Sequence, residues 1–124
     1  MAGEDFQSLE VTALQLRLRE FADARDWEQF HSPKNLAMAL AGEAGELLAI
    51  FQWLSEMQSS ALDNEDRDRV AEEMADIQIY LLRLADVLDL SLPAAVEGKI
   101  ADNERKYPVG ESKGNATKYS RRAR

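Results

Sequence analysis

Apolar side chains recur every three to five residues over most of the chain, and no long run alternates apolar with polar residues. This spacing is typical of amphipathic helices, whereas a half-buried strand would alternate with a period of two. Only three prolines, Pro33, Pro93 and Pro108, interrupt the chain, which leaves room for long helices. The pattern therefore predicts an all-α protein.

Four helices are predicted from the apolar spacing and from the residues that start helices. Ser32 with Pro33, Asp63, and Ser91 with Pro93 are the start signals, because a serine or aspartate oxygen caps the first turn and proline fits there. The predicted ranges are about 8–25, 33–56, 64–89 and 92–107. The side chains predicted to face inward are Leu9, Ala13, Leu16, Phe21, Leu36, Ala39, Leu40, Leu47, Ile50, Trp53, Leu54, Val70, Met74, Ile77, Leu81, Leu84, Leu88, Val96 and Ile100.

The segment beyond Pro108 differs in composition from the rest of the chain. It is rich in Gly, Ser, Lys and Arg, and Val109 is its one aliphatic residue larger than alanine, so it cannot bury a core of its own. We expect residues 1–107 to form one all-α domain and residues 108–124 to form a basic, extended tail. Short connections between the helices favour antiparallel neighbours, so a four-helix bundle is the expected architecture.

Composition narrows the class of protein. The chain has 124 residues and a mass of 14.0 kDa, which fits one domain whose isolated core would be marginally stable. It contains no cysteine, which excludes disulfides and zinc-thiolate sites and favours a reducing cytoplasm. It has neither a basic-then-apolar leader nor an apolar run of about 20 residues, so neither export nor a membrane span is expected.

Charge is distributed unevenly along the chain. Residues 1–98 carry 20 acidic and 7 basic side chains, whereas residues 99–124 carry 3 acidic and 8 basic ones, within a formal net charge of −8. The acidic body disfavours non-specific binding to nucleic acid. The basic end would attract a compact polyanion such as a triphosphate, or the acidic surface of a second subunit. A solvated tail without a role is the alternative.

Four carboxylates interrupt the apolar stripes of the two central predicted helices. Glu43 and Glu46 are spaced i, i+3 in one stripe, and Glu73 and Asp76 have the same spacing in the other. Carboxylates buried together repel one another and are costly to desolvate, and a cation would remove both costs. Because cysteine is absent and His31 is the only histidine, the available ligands are oxygens, which favour Mg²⁺ or Mn²⁺.

A plainer interpretation of the same residues stays open. Glu43 and Glu46 flank small residues and would, in that case, lie on a solvated helix face paired with basic side chains. Gly42 and Gly45 each cost a helix about 1 kcal/mol relative to alanine. Their presence indicates close approach by another helix or by a ligand.

The carboxylate spacing resembles a known signature. Glu43-x-x-Glu46, a 26-residue interval and Glu73-x-x-Asp76 resemble the ExxE…ExxD pattern of the all-α NTP pyrophosphatase superfamily, the MazG-like enzymes. Further segments resemble the dCTP pyrophosphatase branch of that superfamily. They are RDWEQFH from Arg25, NL at Asn35, GEAGEL from Gly42, FQW from Phe51, EEMADIQIYL from Glu72, KYP from Lys106 and KY at Lys118.

The resemblance implies an activity, a cofactor and an assembly. It implies a bundle of the MazG-like type that hydrolyses a nucleoside triphosphate, dCTP or a modified dCTP, to the monophosphate and pyrophosphate. It also implies Mg²⁺ dependence and a homotetramer, built as a dimer of dimers, that removes surplus or non-standard nucleotides. The implied metal ligands are Glu43, Glu46, Glu73 and Asp76, of which Glu46 and Glu73 are the expected catalytic residues.

The resemblance also implies substrate contacts. Trp27, His31, Trp53 and Tyr80 match positions near the base and sugar, and Lys99, Asn103, Arg105 and Tyr107 match the phosphate side. Spacing alone places Trp53 and Tyr80 on the carboxylate faces of their helices, where they would either stack on a base or pack in the core. For Lys99 and Arg105, ordinary surface charge is the alternative.

One position departs from the animal dCTP enzymes. Leu18 stands where those enzymes have a histidine associated with the nucleotide pocket, so the base preference stays open. A broad-specificity house-cleaning NTP diphosphatase is the first alternative. A carboxylate-bridged di-iron bundle is disfavoured, because such sites use Glu-x-x-His pairs and the only histidine lies in a predicted loop. A non-catalytic helical interaction module with an acidic face is the third alternative.

Overall fold

The computed structural model describes residues 8–118 and residue 120. The motif residue Tyr119 and the end of the predicted tail, residues 121–124, lie outside them. The helices are α1 (Val11–Ala24), α2 (Pro33–Phe51), α3 (Glu56–Ser59), α4 (Asn64–Val87), α5 (Leu92–Lys106) and α6 (Val109–Ser112), with a 3₁₀ turn at Glu28–Phe30. The described residues form no strand, which confirms the all-α prediction.

The predicted helix starts are confirmed by their caps. The side chains of Ser32, Asp63 and Ser91 each accept a hydrogen bond from the backbone N–H three residues later, at 3.1, 2.8 and 3.2 Å. Pro33 and Pro93 lie in the first turns of α2 and α5. These short-range signals act within one helical turn, so they are set by local sequence.

Two boundaries differ from the prediction. The second helix ends at Phe51 and not near residue 56, because Ser55 and Gln58 form a capping box that starts α3. The segment after Pro108 was expected to be extended, and it instead contains the short helix α6. Trp53 and Leu54 therefore follow α2 and do not continue its apolar stripe.

The chain forms two compact units, the described parts of residues 1–90 and of 91–124. In the first unit, α4 packs against both α2 and α1. The buried side chains among the described residues are Ala22, Leu36, Ile50, Leu82, Ala85 and one charged residue, Arg83. The second unit consists of α5, α6 and the residues around them. The four-helix arrangement and the boundary at residue 107 stay predictions.

The predicted inner faces are right for α2 and for four of the six positions on α4, and wrong for α1 and α5. Ala39, Leu40 and Leu47 on α2, and Leu54 after it, are half-buried. Leu36 and Ile50 are buried as expected, and Val70, Ile77, Leu81 and Leu84 are half-buried. On α1 the half-buried positions are Val11, Leu14, Gln15 and Leu18, so the helix is turned from the predicted register. The side chains predicted to face inward that are exposed in this chain are Leu9, Ala13, Leu16, Phe21, Trp53, Met74, Leu88, Val96 and Ile100.

None of the described helices combines the length and the mean hydropathy that crossing a bilayer requires.

Candidate active site

Packing of α2 against α4 brings three of the four predicted carboxylates together. Glu43 lies on α2, and Glu73 and Asp76 lie one turn apart on α4. Each offers a carboxylate oxygen, these oxygens lie within 4.8 Å of one another, and all three side chains are half-buried. We call Glu43, Glu73 and Asp76 the carboxylate triad.

The carboxyl groups of the triad lie close enough to repel one another, and this repulsion acts on the pKa of Glu73. A hydrogen bond with Glu43 raises the pKa of Glu73 to about 7, assisted by loss of solvation and by the charges of Glu43, Asp76 and Glu46. The Oε2 atom of Glu73 is buried and has no hydrogen-bond partner. A buried acceptor without a partner, beside two further carboxylates, is the arrangement that a cation would satisfy. Because every donor is an oxygen, the triad fits a hard ion such as Mg²⁺ or Mn²⁺.

Glu46 is the fourth predicted ligand, and its position differs from the other three. It is exposed on α2 and is not part of the triad. Its charge nevertheless contributes to the raised pKa of Glu73, so it lies within electrostatic reach of the triad. Its side chain is therefore open to water at the edge of the carboxylate group.

A cavity of about 250 Å³ adjoins the triad through Asp76. Three of the predicted nucleotide contacts, Trp27, His31 and Tyr80, line it together. Leu18 contributes to the apolar part of the wall. The full lining is Leu18, Phe21, Trp27, His31, Asp76, Ile79, Tyr80 and Arg83. We call this cavity the aromatic pocket.

The chain reversal after α1 carries Trp27 to the pocket. Asp26 adopts a left-handed conformation with φ of 54°, and the Trp27 N–H donates to the Ala22 carbonyl at 2.9 Å. These are the features of a Schellman motif, which ends a helix and turns the chain sharply. The Trp27 ring then meets Phe21 edge-on, with ring centroids 5.5 Å apart, and lies 6.3 Å from the His31 ring.

Arg83 also lines the pocket, and it is not among the residues predicted from the sequence. The residue is 5% exposed, its Nε donates to His31 Nδ1 at 3.1 Å, and its Nη1 donates to Asp86 at 3.3 Å. A signal for it exists, because Arg83 follows Asp76 by seven residues and thus shares its side of α4. A charged side chain among apolar residues on one side of a helix indicates that the charge is buried and paired with another polar group.

Five predicted contacts are not part of the pocket wall. Trp53 follows the end of α2 with its side chain 87% exposed, and it is absent from the pocket lining. Lys99, Asn103 and Tyr107 belong to the second unit; Lys99 and Asn103 lie one turn apart on α5, and Tyr107 directly follows the end of that helix. Arg105 lies on another side and pairs with Asp102 at 3.1 Å.

The two helical glycines have open surroundings. A β-carbon added at Gly42 or Gly45 would meet no atom within 4 Å. The expectation that a helix of the same chain approaches them closely is therefore wrong for the described residues. Approach by a ligand or by a second subunit stays a prediction.

Comparison with known proteins extends these observations. Residues 39–121 match the MazG-like family. The chain is 47% identical over 103 residues to dCTP pyrophosphatase 1 from Rattus norvegicus and 44% identical to its counterpart from Homo sapiens. Each match covers 82% of this chain and 61% of the relative, so the chain spans about three-fifths of these relatives' length.

A solved structure supports the same assignment. A pyrophosphatase from Archaeoglobus fulgidus superposes with a TM-score of 0.75 at 42% identity, over 85% of this chain and 98% of that one. The agreement in fold and sequence thus extends over most of this chain. These matches show that the chain belongs to the MazG-like family.

Proposed function

We propose that this chain is a metal-dependent nucleoside triphosphate diphosphatase, with dCTP or a modified dCTP as its substrate. The observation that carries the proposal is the position of Asp76, which belongs to both the carboxylate triad and the aromatic pocket. A cation-binding group and a base-sized apolar cavity that share a residue are suited to one ligand with phosphates at one end and an aromatic ring at the other. The relatives named dCTP pyrophosphatase 1 support the choice of base.

In this proposal, the triad holds Mg²⁺, or Mn²⁺ in its place. Glu43, Glu73 and Asp76 supply three carboxylate oxygens, and the unpartnered Oε2 of Glu73 gains a partner. The bound ion would supply charge neutralisation and Lewis-acid activation at the triphosphate. The protein's own contribution is to keep three carboxyl groups together, which packing between α2 and α4 enforces before any ligand arrives.

The reaction consumes one water molecule. The water oxygen bonds to the α-phosphorus, the bond from the α-phosphorus to its bridging oxygen breaks, and pyrophosphate departs with that oxygen. We assign Glu46 as the group that takes the proton from the attacking water. Its support is its location, since it is exposed to water beside the triad and does not belong to the three-carboxylate group. Glu46 completing the metal ligands is the alternative that the resemblance implies.

The aromatic pocket binds the base and sugar in this proposal. Trp27 and Tyr80 offer ring faces and edges for stacking, which contributes about 1–3 kcal/mol per base contact. Trp53, whose ring is almost fully exposed in this chain, is proposed as a further contact that depends on the assembled protein. Lys99, Asn103, Arg105 and Tyr107 are proposed for the phosphates. The ion pair between Arg105 and Asp102 is exposed, and such pairs exchange readily for a stronger anion.

We further propose a homotetramer assembled from dimers. Large apolar side chains remain exposed on α1, α2 and α4, among them Leu16, Met38 and Met74. Gly42 and Gly45 lie on the same side of α2 as Met38. Because glycine has no side chain, this side of the helix is a flat apolar surface, and no other part of the described chain covers it at the two glycines. Burial of such surfaces between subunits would supplement a small core. Neither nucleic acid nor a membrane is a partner in this proposal, and the cytoplasm is the proposed location.

The experiment that tests the activity is an assay of pyrophosphate release from dCTP with Mg²⁺, repeated over a panel of normal and modified nucleotides. A preference of at least tenfold in kcat/KM for cytosine nucleotides would support the dCTP assignment. Similar values across the panel would support the broad-specificity enzyme, which Leu18 favours because it makes part of the pocket wall apolar. If no nucleotide releases pyrophosphate, both enzyme hypotheses are contradicted, and the non-catalytic helical interaction module is the remaining alternative.

A further inference from the structure

Buried Arg83 and half-buried His31 form a hydrogen-bonded pair whose geometry determines which imidazole nitrogen carries the proton. A guanidinium can only donate hydrogen bonds, and its Nε lies 3.1 Å from His31 Nδ1. Nδ1 must therefore be the unprotonated, accepting nitrogen. A neutral imidazole then carries its proton on Nε2, and Nε2–H is the one hydrogen-bonding group that His31 retains for another partner.

The surroundings of Arg83 hold it in place. Asp86 accepts from Arg83 Nη1 at 3.3 Å and also pairs with Arg19 through two contacts of 2.7 and 3.1 Å. Glu28 lies 3.6 Å from Arg83 Nη2. The buried Arg83 guanidinium thus faces two carboxylates, Asp86 and Glu28. Asp86 is in turn linked to α1 through its pair with Arg19. Three parts of the first unit, α1, the 3₁₀ turn and α4, converge on this network.

The charge state of His31 agrees with this geometry. Loss of solvation and the adjacent Arg83 guanidinium lower the pKa of His31 below its ordinary value of 6.5. The imidazole is therefore neutral at pH 7, and it can keep the accepting Nδ1 that the contact with Arg83 requires.

We propose that Arg83 is a positioning residue that holds His31 as an Nε2–H donor to an acceptor atom of the nucleotide in the aromatic pocket. His31 and Arg83 both line that pocket, and Leu18 beside them offers no hydrogen bond. The acceptor belongs either to the base or to the sugar. The inference rests on the proposed function for the identity of the ligand, but the state of His31 in the free protein does not depend on it.

The first test is ¹⁵N NMR of protein labelled in its histidine. Because the chain has a single histidine, the two imidazole nitrogens give an unambiguous pair of signals. We expect a non-protonated Nδ1 and a protonated Nε2 in the free protein, and a mixture of tautomers in Arg83→Met. A protonated Nδ1 in the wild type, or an unchanged tautomer in Arg83→Met, would overturn the proposal.

The second test is a double-mutant cycle on KM. Glutamine at position 31 can place an amide donor near the Nε2 position without needing a fixed tautomer. We expect Arg83→Met alone to raise KM about tenfold, the scale of one hydrogen bond, and to have little further effect in a His31→Gln background. A role in stability alone would instead lower kcat and the folded fraction equally in both backgrounds, which would contradict the proposal. Arg69→Met is the matched control, because Arg69 is an exposed arginine of the same helix that pairs with Asp66.

Ligand addition separates the two acceptor sources. In EDTA, dCMP and deoxyribose 5-phosphate are added in turn to the labelled protein. A change in the Nε2 signal with dCMP alone identifies the base as the acceptor, and a change with both compounds identifies the sugar. No change with either compound would overturn the ligand-facing part of the proposal. If dCTP is not hydrolysed while the tautomer is as expected, the proposed function fails and the positioning role of Arg83 stands.

Discussion

At the scale of single residues, Glu73 is where the chemistry and the stability of the fold conflict. Its carboxyl is crowded by Glu43, Asp76 and Glu46, and its Oε2 lacks a partner. Such crowding is unfavourable in a ligand-free protein and favourable once a cation is bound. Substitution of Glu73 should therefore reduce activity without reducing the folded fraction.

Glu73→Gln keeps the shape of the side chain and removes its charge. We expect kcat/KM to fall by at least about 10²-fold, the scale of losing one preorganised electrostatic contact, while the helix content by circular dichroism is unchanged. Glu72→Gln is the matched control, because Glu72 is the exposed neighbour on the same helix. Equal activity in Glu73→Gln and Glu72→Gln would exclude the triad as the metal site.

The pKa of Glu73 also predicts how stability depends on pH. Folding raises this pKa from 4.5 to about 7, so the folded protein binds this proton more tightly than the unfolded one. The resulting stabilisation is fully present below about pH 4.5 and is lost as the pH rises through about 7. We expect the Tm of metal-free wild type to fall relative to Glu73→Gln across this window, measured by calorimetry in EDTA. Parallel pH profiles of the two proteins would contradict the crowding of the triad.

Single residues differ in how far the sequence reveals them. The four carboxylates can be recognised in the sequence because they interrupt the helical repeat of apolar residues, and three of the four come together in the fold. The role of Arg83 does not follow from such a local exception, because its partner His31 is 52 positions away in the chain. Trp53 was assigned to a helix face by extrapolating α2 beyond its true end.

At the scale of secondary structure elements, local signals determine where helices start, and packing determines which side they bury. The caps at Ser32, Asp63 and Ser91 were predictable from the sequence because their hydrogen bonds join residues three apart. The inner side of α1 was not, because apolar residues occur around most of that helix and only the contact with α4 selects one side. The same reason explains the exposed Leu16 and Phe21.

The end of α4 offers a test at this scale. Asp89 occupies the left-handed position of a Schellman motif, with φ of 54° and the Leu90 N–H donating to the Ala85 carbonyl at 2.9 Å. Glycine adopts this conformation without steric cost, and an acidic group is unfavourable at a helix C-terminus. Asp89→Gly should therefore stabilise the protein by about 1 kcal/mol, which raises Tm by about 3 °C. Asp89→Ala, which also removes the charge but keeps a β-carbon, is the control; an equal gain there would refute the conformational explanation.

At the scale of the whole molecule, the described chain leaves much apolar surface without a partner. Few side chains are fully buried, whereas Met38, Leu48 and Met57 are more than half exposed. Exposed patches of this kind mark surfaces that associate. Sedimentation at micromolar concentration should give the mass of a tetramer, with a dimer on dilution. A monomer at that concentration would contradict the proposed assembly.

Fold class was predictable at this scale, and the assembly was not. The helical period and the absence of alternation specify an all-α chain without any knowledge of contacts. Which exposed surfaces would meet a second subunit depends on shape complementarity between chains, and a pattern of residues does not specify that shape.

In the proposed function, the carboxylate triad and the aromatic pocket form one metal-dependent site for cleavage between the α- and β-phosphates. The most direct test is ³¹P NMR of dCTP incubated with the protein and Mg²⁺, with EDTA and with Asp76→Asn as parallel samples. We expect dCMP and pyrophosphate only in the sample that holds both metal and wild-type protein. Formation of dCDP and phosphate, or cleavage that persists in EDTA or in Asp76→Asn, would contradict it.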